Sequence, residues 1–256
     1  MINIDFYAYS NKLNAVHPLE KVLFAVITML ICLLSGSIFT PILILVLMAV
    51  AIVLMAGIPA HLYGRLLLLP LTFLLLSVLS IAFSAAASTV GFWISYRFGN
   101  LVVGIRFPDL IKAMHLFLRS LGSVSCLYFL ALTTPMTEVI NLLRKLKIPV
   151  LITELMILIY RFIFVFLESA ATIKRAQSSR LGYINIRSSF RSLSQLVVAL
   201  FGKVFIKSRE LFETMSARCY GGEINVLAKN HLVNYTNYVL IGVCAFLIIS
   251  LDIVWR

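Results

Sequence analysis

The side chains in this 256-residue sequence that could do the most chemistry are four charges spaced seven residues apart: Glu154, Arg161, Glu168 and Arg175. On a helix this spacing sets them along one narrow stripe. Inside a lipid-surrounded span such a stripe would be an ion relay, held at high cost; on an amphipathic helix it is a solvated face. The solvated face is the expected one, because Lys174, Arg180, Arg187 and Arg191 crowd the same stretch. Other reactive sets do not form. His17, His61, His115 and His231 are scattered, and no His, Cys or carboxylate group has metal-ligand spacing. Cys32, Cys126, Cys219 and Cys244 make neither a CxxC pair nor a disulfide framework. Gly202-Lys203 lacks the earlier glycine and the following Ser or Thr of a phosphate-binding loop, so the chain is not expected to hydrolyse ATP itself. No Ser-His, HExxH or paired-carboxylate set points to an intramembrane enzyme.

Two arginines stand in matching settings. One long helical pattern ends in Ser179-Arg180-Leu181-Gly182, the next in Ala217-Arg218-Cys219-Tyr220-Gly221. Gly182 and Gly221 are expected as C-cap residues, and an arginine in a last turn complements the helix dipole. Capping and docking both account for one such end. Their repetition at two helix tips favours docking.

The elements that carry these tips follow from composition. Of the residues, 61% are hydrophobic and only 12% charged, against about 25% charged in soluble domains. Apolar runs occur at 22–38, 42–58, 66–88, 120–132 with an N-terminal extension, 151–167 and 238–251. A bilayer core of about 30 Å takes roughly 20 helical residues. The expected fold class is therefore all-α: a polytopic integral membrane protein with about five transmembrane helices plus long amphipathic helices outside the bilayer. The net charge of +12 is spread between and beside the apolar runs and reads as a topology signal. No basic stripe with interleaved aromatics stands on a soluble segment, so nucleic acid is not an expected partner.

His17-Pro18-Leu19-Glu20-Lys21 predicts the start of the first span, a retained helix rather than a signal peptide. The uncharged turn at 37–41 followed by a connection with His61 and Arg65 puts the N-terminus in the cytoplasm. Ser77, Ser80, Ser84 and Ser88 mark a small-residue packing face on the third span. Phe92, Trp93, Tyr96 and Phe98 before Gly99-Asn100, with Val102, Val103 and Ile105 after, predict a short hairpin or aromatic interfacial loop. Arg106, Lys112 and Arg119 lie near the outer end of the fourth span. These readings divide the chain into a membrane domain, 1–133; a cytoplasmic coupling domain, 134–231; and a last span, 232–256. If 151–167 crosses instead, the spans become six and one basic cluster faces outward. From 190 to 218, Leu193, Leu196, Val197, Leu200, Phe201, Val204 and Phe205 share one apolar face of a helix about 43 Å long. Such a helix needs a protein partner or a membrane surface along its length.

These features resemble the transmembrane T component of energy-coupling factor transporters, most closely the cobalt-type, CbiQ-like branch. Ile4-Asp5, Tyr7-Ala8-Tyr9 and the segment from Val16 to Lys21 look like that branch's opening, and the two tips look like its paired Ala-Arg-Xaa signature. Ala217-Arg218-Cys219 fits; Ser179-Arg180-Leu181 departs from it, with serine for alanine and a larger third residue. The resemblance implies that the coupling-helix tips dock on two ABC-type ATPase subunits. It further implies that ATP and Mg are bound by those subunits and no cofactor by this chain. A membrane-embedded substrate-binding subunit would rest on the apolar faces of the coupling helices, with room for a small auxiliary membrane subunit. It places the protein in a bacterial or archaeal cell membrane. Nickel or vitamin uptake, and a self-sufficient secondary transporter, are the competing readings; against the last, the spans show no central carboxylate and no inverted repeat.

Overall fold

The computed structural model describes residues 4–86, 94–98, 101–105, 107–221 and 235–254. Along the chain run α1 (Ile4–Ser10), a 3-10 turn (Lys12–Ala15), α2 (Pro18–Leu34), α3 (Phe39–Val50) continued by a π turn (Ala51–Met55), and α4 (Ala60–Ala82). Strands β1 (Phe83–Ala86), β2 (Ile94–Phe98) and β3 (Leu101–Ile105) follow. The remaining helices are α5 (Phe107–Thr133), α6 (Met136–Lys145), α7 (Val150–Ser179), α8 (Ile186–Ala217) and α9 (Tyr235–Val254). These elements pack into two compact units: Met1–Pro135 with Asn230–Arg256, and Met136–Lys229. Apart from the small sheet the protein is all-α. Among the described residues five helices, α4, α5, α7, α8 and α9, are long and apolar enough to cross a membrane. Helix α2, and α3 with its π turn, span 17 residues each or about 26 Å, close to the lower limit.

In the first unit α5 is the central helix, packed against α1, α2, α3 and α4. Gly122 makes the approach possible: a Cβ there would lie 2.8 Å from Cys32 Sγ and 3.2 Å from the Pro41 carbonyl oxygen. Between lipid-solvated helices such close packing replaces the hydrophobic drive. Cys32, Ile44, Met48, Ile52, Cys126 and Leu132 form the core, and the Tyr63 and Ser125 hydroxyls pair inside it at 2.5 Å. Leu69, Phe73 and Leu76 of α4 point outward, as expected of a face covered by lipid.

Polar side chains close the helix ends of this unit. The α2 start forms as expected, with His17 Nδ1 accepting from the Leu19 N–H at 3.1 Å and Pro18 in the first turn. The last carbonyls of a helix lack intrahelical donors; on α5, Asn11 Nδ2 reaches the Leu132 and Thr133 oxygens at 3.3 Å each, and Lys21 Nζ reaches Thr133 at 3.1 Å. Lys21, 3% exposed, sets its charge at the negative end of the α5 dipole. Asn237 Nδ2 donates to Glu20 Oε2 at 2.7 Å, joining α9 to α2. At the other end of α9, Ser35 and Thr40 donate to Asp252 Oδ1 at 2.5 and 2.7 Å. Arg119 donates to the Ser35 carbonyl, and His115 Nε2 meets that of Ser37 at 3.2 Å.

Two sequence expectations change here. The third span covers 60–82, not 66–88: the chain leaves the helix at Phe83, and Ser84 falls in β1, so the four serines do not form one helical packing face. Ser77 turns its hydroxyl back to the Phe73 carbonyl, and Ser80 is exposed. The hairpin forms, β2 pairing antiparallel with β3 and Phe98 opposite Leu101, while β1 adds a third strand on the other edge of β3. Ser88, Phe92, Trp93, Gly99, Asn100, Arg106 and His231 lie outside the described residues.

The second unit contains α6, α7 and α8. At 30 and 32 residues, α7 and α8 run about 45 and 48 Å. They are antiparallel, tied by Gln177 Nε2 to the Ser192 carbonyl at 2.9 Å, Lys203 Nζ to Ser169 Oγ at 3.0 Å, and Tyr220 Oη to Glu154 Oε2 at 2.6 Å. Among its described residues few side chains are buried, including Ile140, Leu142, Thr153, Glu154, Ser192 and Leu196.

Candidate functional site

Both arginine tips adopt one backbone turn. Arg180 has φ −94° and ψ 17°, Arg218 φ −96° and ψ 18°. The residue after each is left-handed, Leu181 at φ 61° and Cys219 at φ 58°. At the first tip the N–H of Leu181 bonds to the Ser178 carbonyl at 3.0 Å and that of Gly182 to Gln177 at 2.9 Å. At the second tip Cys219 bonds to Ser216 and Tyr220 to Met215, each at 3.1 Å. This paired 5→2 and 6→1 pattern is the Schellman motif.

The sequence expectation of Gly182 and Gly221 at the cap is thereby corrected. The left-handed position belongs to Leu181 and Cys219, where L side chains cost roughly 1–2 kcal/mol relative to glycine. Gly182 is needed for space instead: its Cβ would meet Ser192 Oγ at 2.6 Å and the Gln177 oxygen at 2.8 Å. Ser179, Arg180, Leu181, Ala217, Arg218 and Cys219 are all exposed. Helix α6 ends in the same turn, with Lys147 at φ 61° and bonds from Lys147 to Arg144 and Ile148 to Leu143, but Leu146 occupies the arginine position.

The two tips are far apart. Tyr220 holds the second beside the first turns of α7, whereas Arg180 lies at the far end of that helix, about 39 Å along from Glu154 at 1.5 Å per residue. A single pocket cannot contain both.

The charge stripe divides. Arg161, Glu168 and Arg175 are exposed, as a solvated face requires, but Glu154 is 5% exposed and accepts from Tyr220. Heptad spacing drifts around a 3.6-residue helix, and it gives no sign that Tyr220, just past the end of α8, meets Glu154. On α8, Leu193, Val197, Phe201, Val204 and Phe205 are exposed, Leu200 is half-buried, and Leu196 is 9% exposed, covered within its own unit. Phe201 and Phe205, at 74% and 69%, make this an apolar face that water alone would not favour. Among the described residues no group of three or more His, Cys, Asp or Glu is gathered to hold a metal.

Known proteins resemble large parts of the chain, one of them over nearly its whole length. The cobalt transport protein family, CbiQ, matches residues 9–227, a range that takes in both tips. An uncharacterized protein of Methanocaldococcus jannaschii is 36% identical over 240 residues, 93% of this chain and 88% of that protein. The cobalt transport protein CbiQ of Salmonella typhimurium is 32% identical over 158 residues, 62% of this chain and 70% of its own. A putative fused cobalt transport protein, CbiMQ, of Methanocorpusculum labreanum is 32% identical over 221 residues, 86% of this chain and 36% of that longer protein. With its helices long and apolar enough to cross a bilayer, this multi-pass membrane protein is a transport component rather than an enzyme by itself, and it belongs to the CbiQ cobalt transport protein family.

Proposed function

We propose that the protein is the non-catalytic coupling subunit of an energy-coupling factor importer for cobalt. It transmits ATP-driven motion from two ABC-type ATPase subunits to a membrane-embedded substrate-binding subunit. Arg180, flanked by Ser179 and Leu181, docks on one ATPase, and Arg218, flanked by Ala217 and Cys219, on the other. The substrate-binding subunit rests on the α8 face of Leu193, Val197, Phe201, Val204 and Phe205. ATP and Mg are bound by the ATPases, and cobalt is cargo. In this reading α2, α3, α4, α5 and α9 span the membrane, the N-terminus is cytoplasmic, and α6 to α8 remain on the cytoplasmic side. Helices α7 and α8 are apolar enough to cross, but a crossing hairpin would carry Arg180, Arg187 and Arg191 outside, against the usual distribution of basic residues.

The observation that carries this reading is the matched pair of exposed arginine turns, alike in dihedrals and in hydrogen bonding, at the ends of two different helices. A guanidinium presents five donors in a fixed fork, suited to a carboxylate-lined groove on a partner. The test co-expresses the chain with its ATPase subunits and replaces the arginines, Arg180→Glu and Arg218→Glu, singly and together. Each single change should weaken copurification of the ATPases and the double change should abolish it along with cobalt uptake. Undiminished copurification and uptake in the double variant would sink the docking role.

A further inference from the structure

Both tips are fastened to the same helix by a tyrosine. At the first, the Tyr183 hydroxyl donates to Gln177 Oε1 at 2.8 Å, and the Gly182 carbonyl accepts from Ser188 and Ser192 at 2.9 and 2.8 Å. At the second, the Tyr220 hydroxyl donates to Glu154 Oε2 at 2.6 Å, across 66 residues of sequence. Gln177 and Glu154 stand near opposite ends of α7. That helix therefore ends in the first tip and grips the second with its opening turns.

We infer that the Glu154–Tyr220 hydrogen bond makes α7 a strut shared by the two arginine tips, so that displacement of one tip is passed to the other along a single helix. The inference rests on the coupling role proposed above and assigns Glu154 and Tyr220 as positioning residues that act through Arg218. A distance of 2.6 Å is that of a charge-assisted O–H···O⁻ bond, about twice as strong as a neutral one. The carboxylate is 5% exposed. The carboxylate meets the residue that directly follows the left-handed Cys219. Tyr220 is two positions from Arg218, so the bond fixes where the second guanidinium stands relative to α7. Between the two ends, α7 and α8 join through the exposed contact of Lys203 with Ser169, which water competes for.

The test compares Tyr220→Phe, Glu154→Leu and Glu154→Gln in the complex co-expressed with its ATPase and substrate-binding subunits, reading cobalt uptake and ATPase copurification together. Phenylalanine keeps the ring of tyrosine and glutamine keeps an oxygen acceptor, and thermal unfolding of each variant in detergent separates loss of fold from loss of coupling. Tyr220→Phe and Glu154→Leu should lower uptake about tenfold while the ATPases still copurify, since losing a hydrogen bond to a charged group is worth roughly that factor or more. Glu154→Gln should stay within about twofold of the parent, because an amide oxygen can still accept the bond. Full uptake in Tyr220→Phe overturns the strut, as does Glu154→Gln failing as badly as Glu154→Leu, or loss of uptake only in step with loss of the ATPases. The arginine variants report on docking separately: if they lose the ATPases while the Tyr220 and Glu154 variants behave as the parent, docking stands and the strut falls. If the double arginine variant keeps its ATPases and uptake, both fall.

Discussion

The end of α5 and the ends of α7 and α8 face the same problem, unpaired last carbonyls, and meet it in opposite ways. On α5 the donors are imported: Asn11 and Lys21 reach in from the N-terminal segment and α2, and the closure is buried. On α7 and α8 the chain folds back on itself through left-handed Leu181 and Cys219, accepts the strain, and leaves arginines in the open. The first solution immobilises a helix bundle. The second leaves an exposed arginine just ahead of a left-handed residue; α6 ends in the same turn with Leu146 in the arginine's place, so the arginines and not the turn set these two tips apart.

Substitutions in the first unit should be the most damaging. Gly122→Leu drives a side chain into Cys32 and the Pro41 backbone, and the backbone cannot yield. It should lower stability by about 3 kcal/mol, read as thermal unfolding in detergent. Lys21→Met leaves the Thr133 carbonyl with only the longer bond from Asn11 and removes the charge set against the α5 dipole, a loss of about 2 kcal/mol in the same measurement. Lys203→Met, on exposed α8, should change stability by no more than about 0.5 kcal/mol. Equal losses at Lys21 and Lys203 would erase the contrast between the units.

At the tips the signs should part. Leu181→Gly and Cys219→Gly relieve the left-handed strain and should each stabilise the protein by up to about 1 kcal/mol. On the docking role proposed above, both should nevertheless weaken ATPase copurification, since each removes the side chain next to a docking arginine. A glycine variant that is both more stable and equally retentive would make these turns helix stops and nothing more.

What could be read from the sequence was local. The α2 start at His17-Pro18, the hairpin around 99–100, the apolar stripe of α8 and the paired arginines each announce themselves within a few residues. What could not be read required a distant partner or a choice among hydrogen-bond patterns. Glu154 looked solvated because nothing near it in sequence reveals Tyr220. Lys21 looked like part of a helix start, and its role as the α5 cap depends on a carbonyl 112 residues away. Glycines after the arginines looked like the caps, yet the Schellman pattern is set one residue after each arginine, where leucine and cysteine stand. The serine spacing continued a helix on paper, while the chain had already turned into a strand at Phe83.

The central claim, that the two strained tips meet ATPase subunits, is tested most directly by photo-cross-linking. A benzophenone amino acid would be placed at Leu181 and, separately, at Cys219 in the transporter assembled with its ATPase and substrate-binding subunits. Cross-links from both positions to ATPase subunits, removed at each tip by replacing its own arginine with glutamate, are the expected result. Cross-links from both positions to lipid or to the substrate-binding subunit instead, unaffected by the arginine changes, would contradict it.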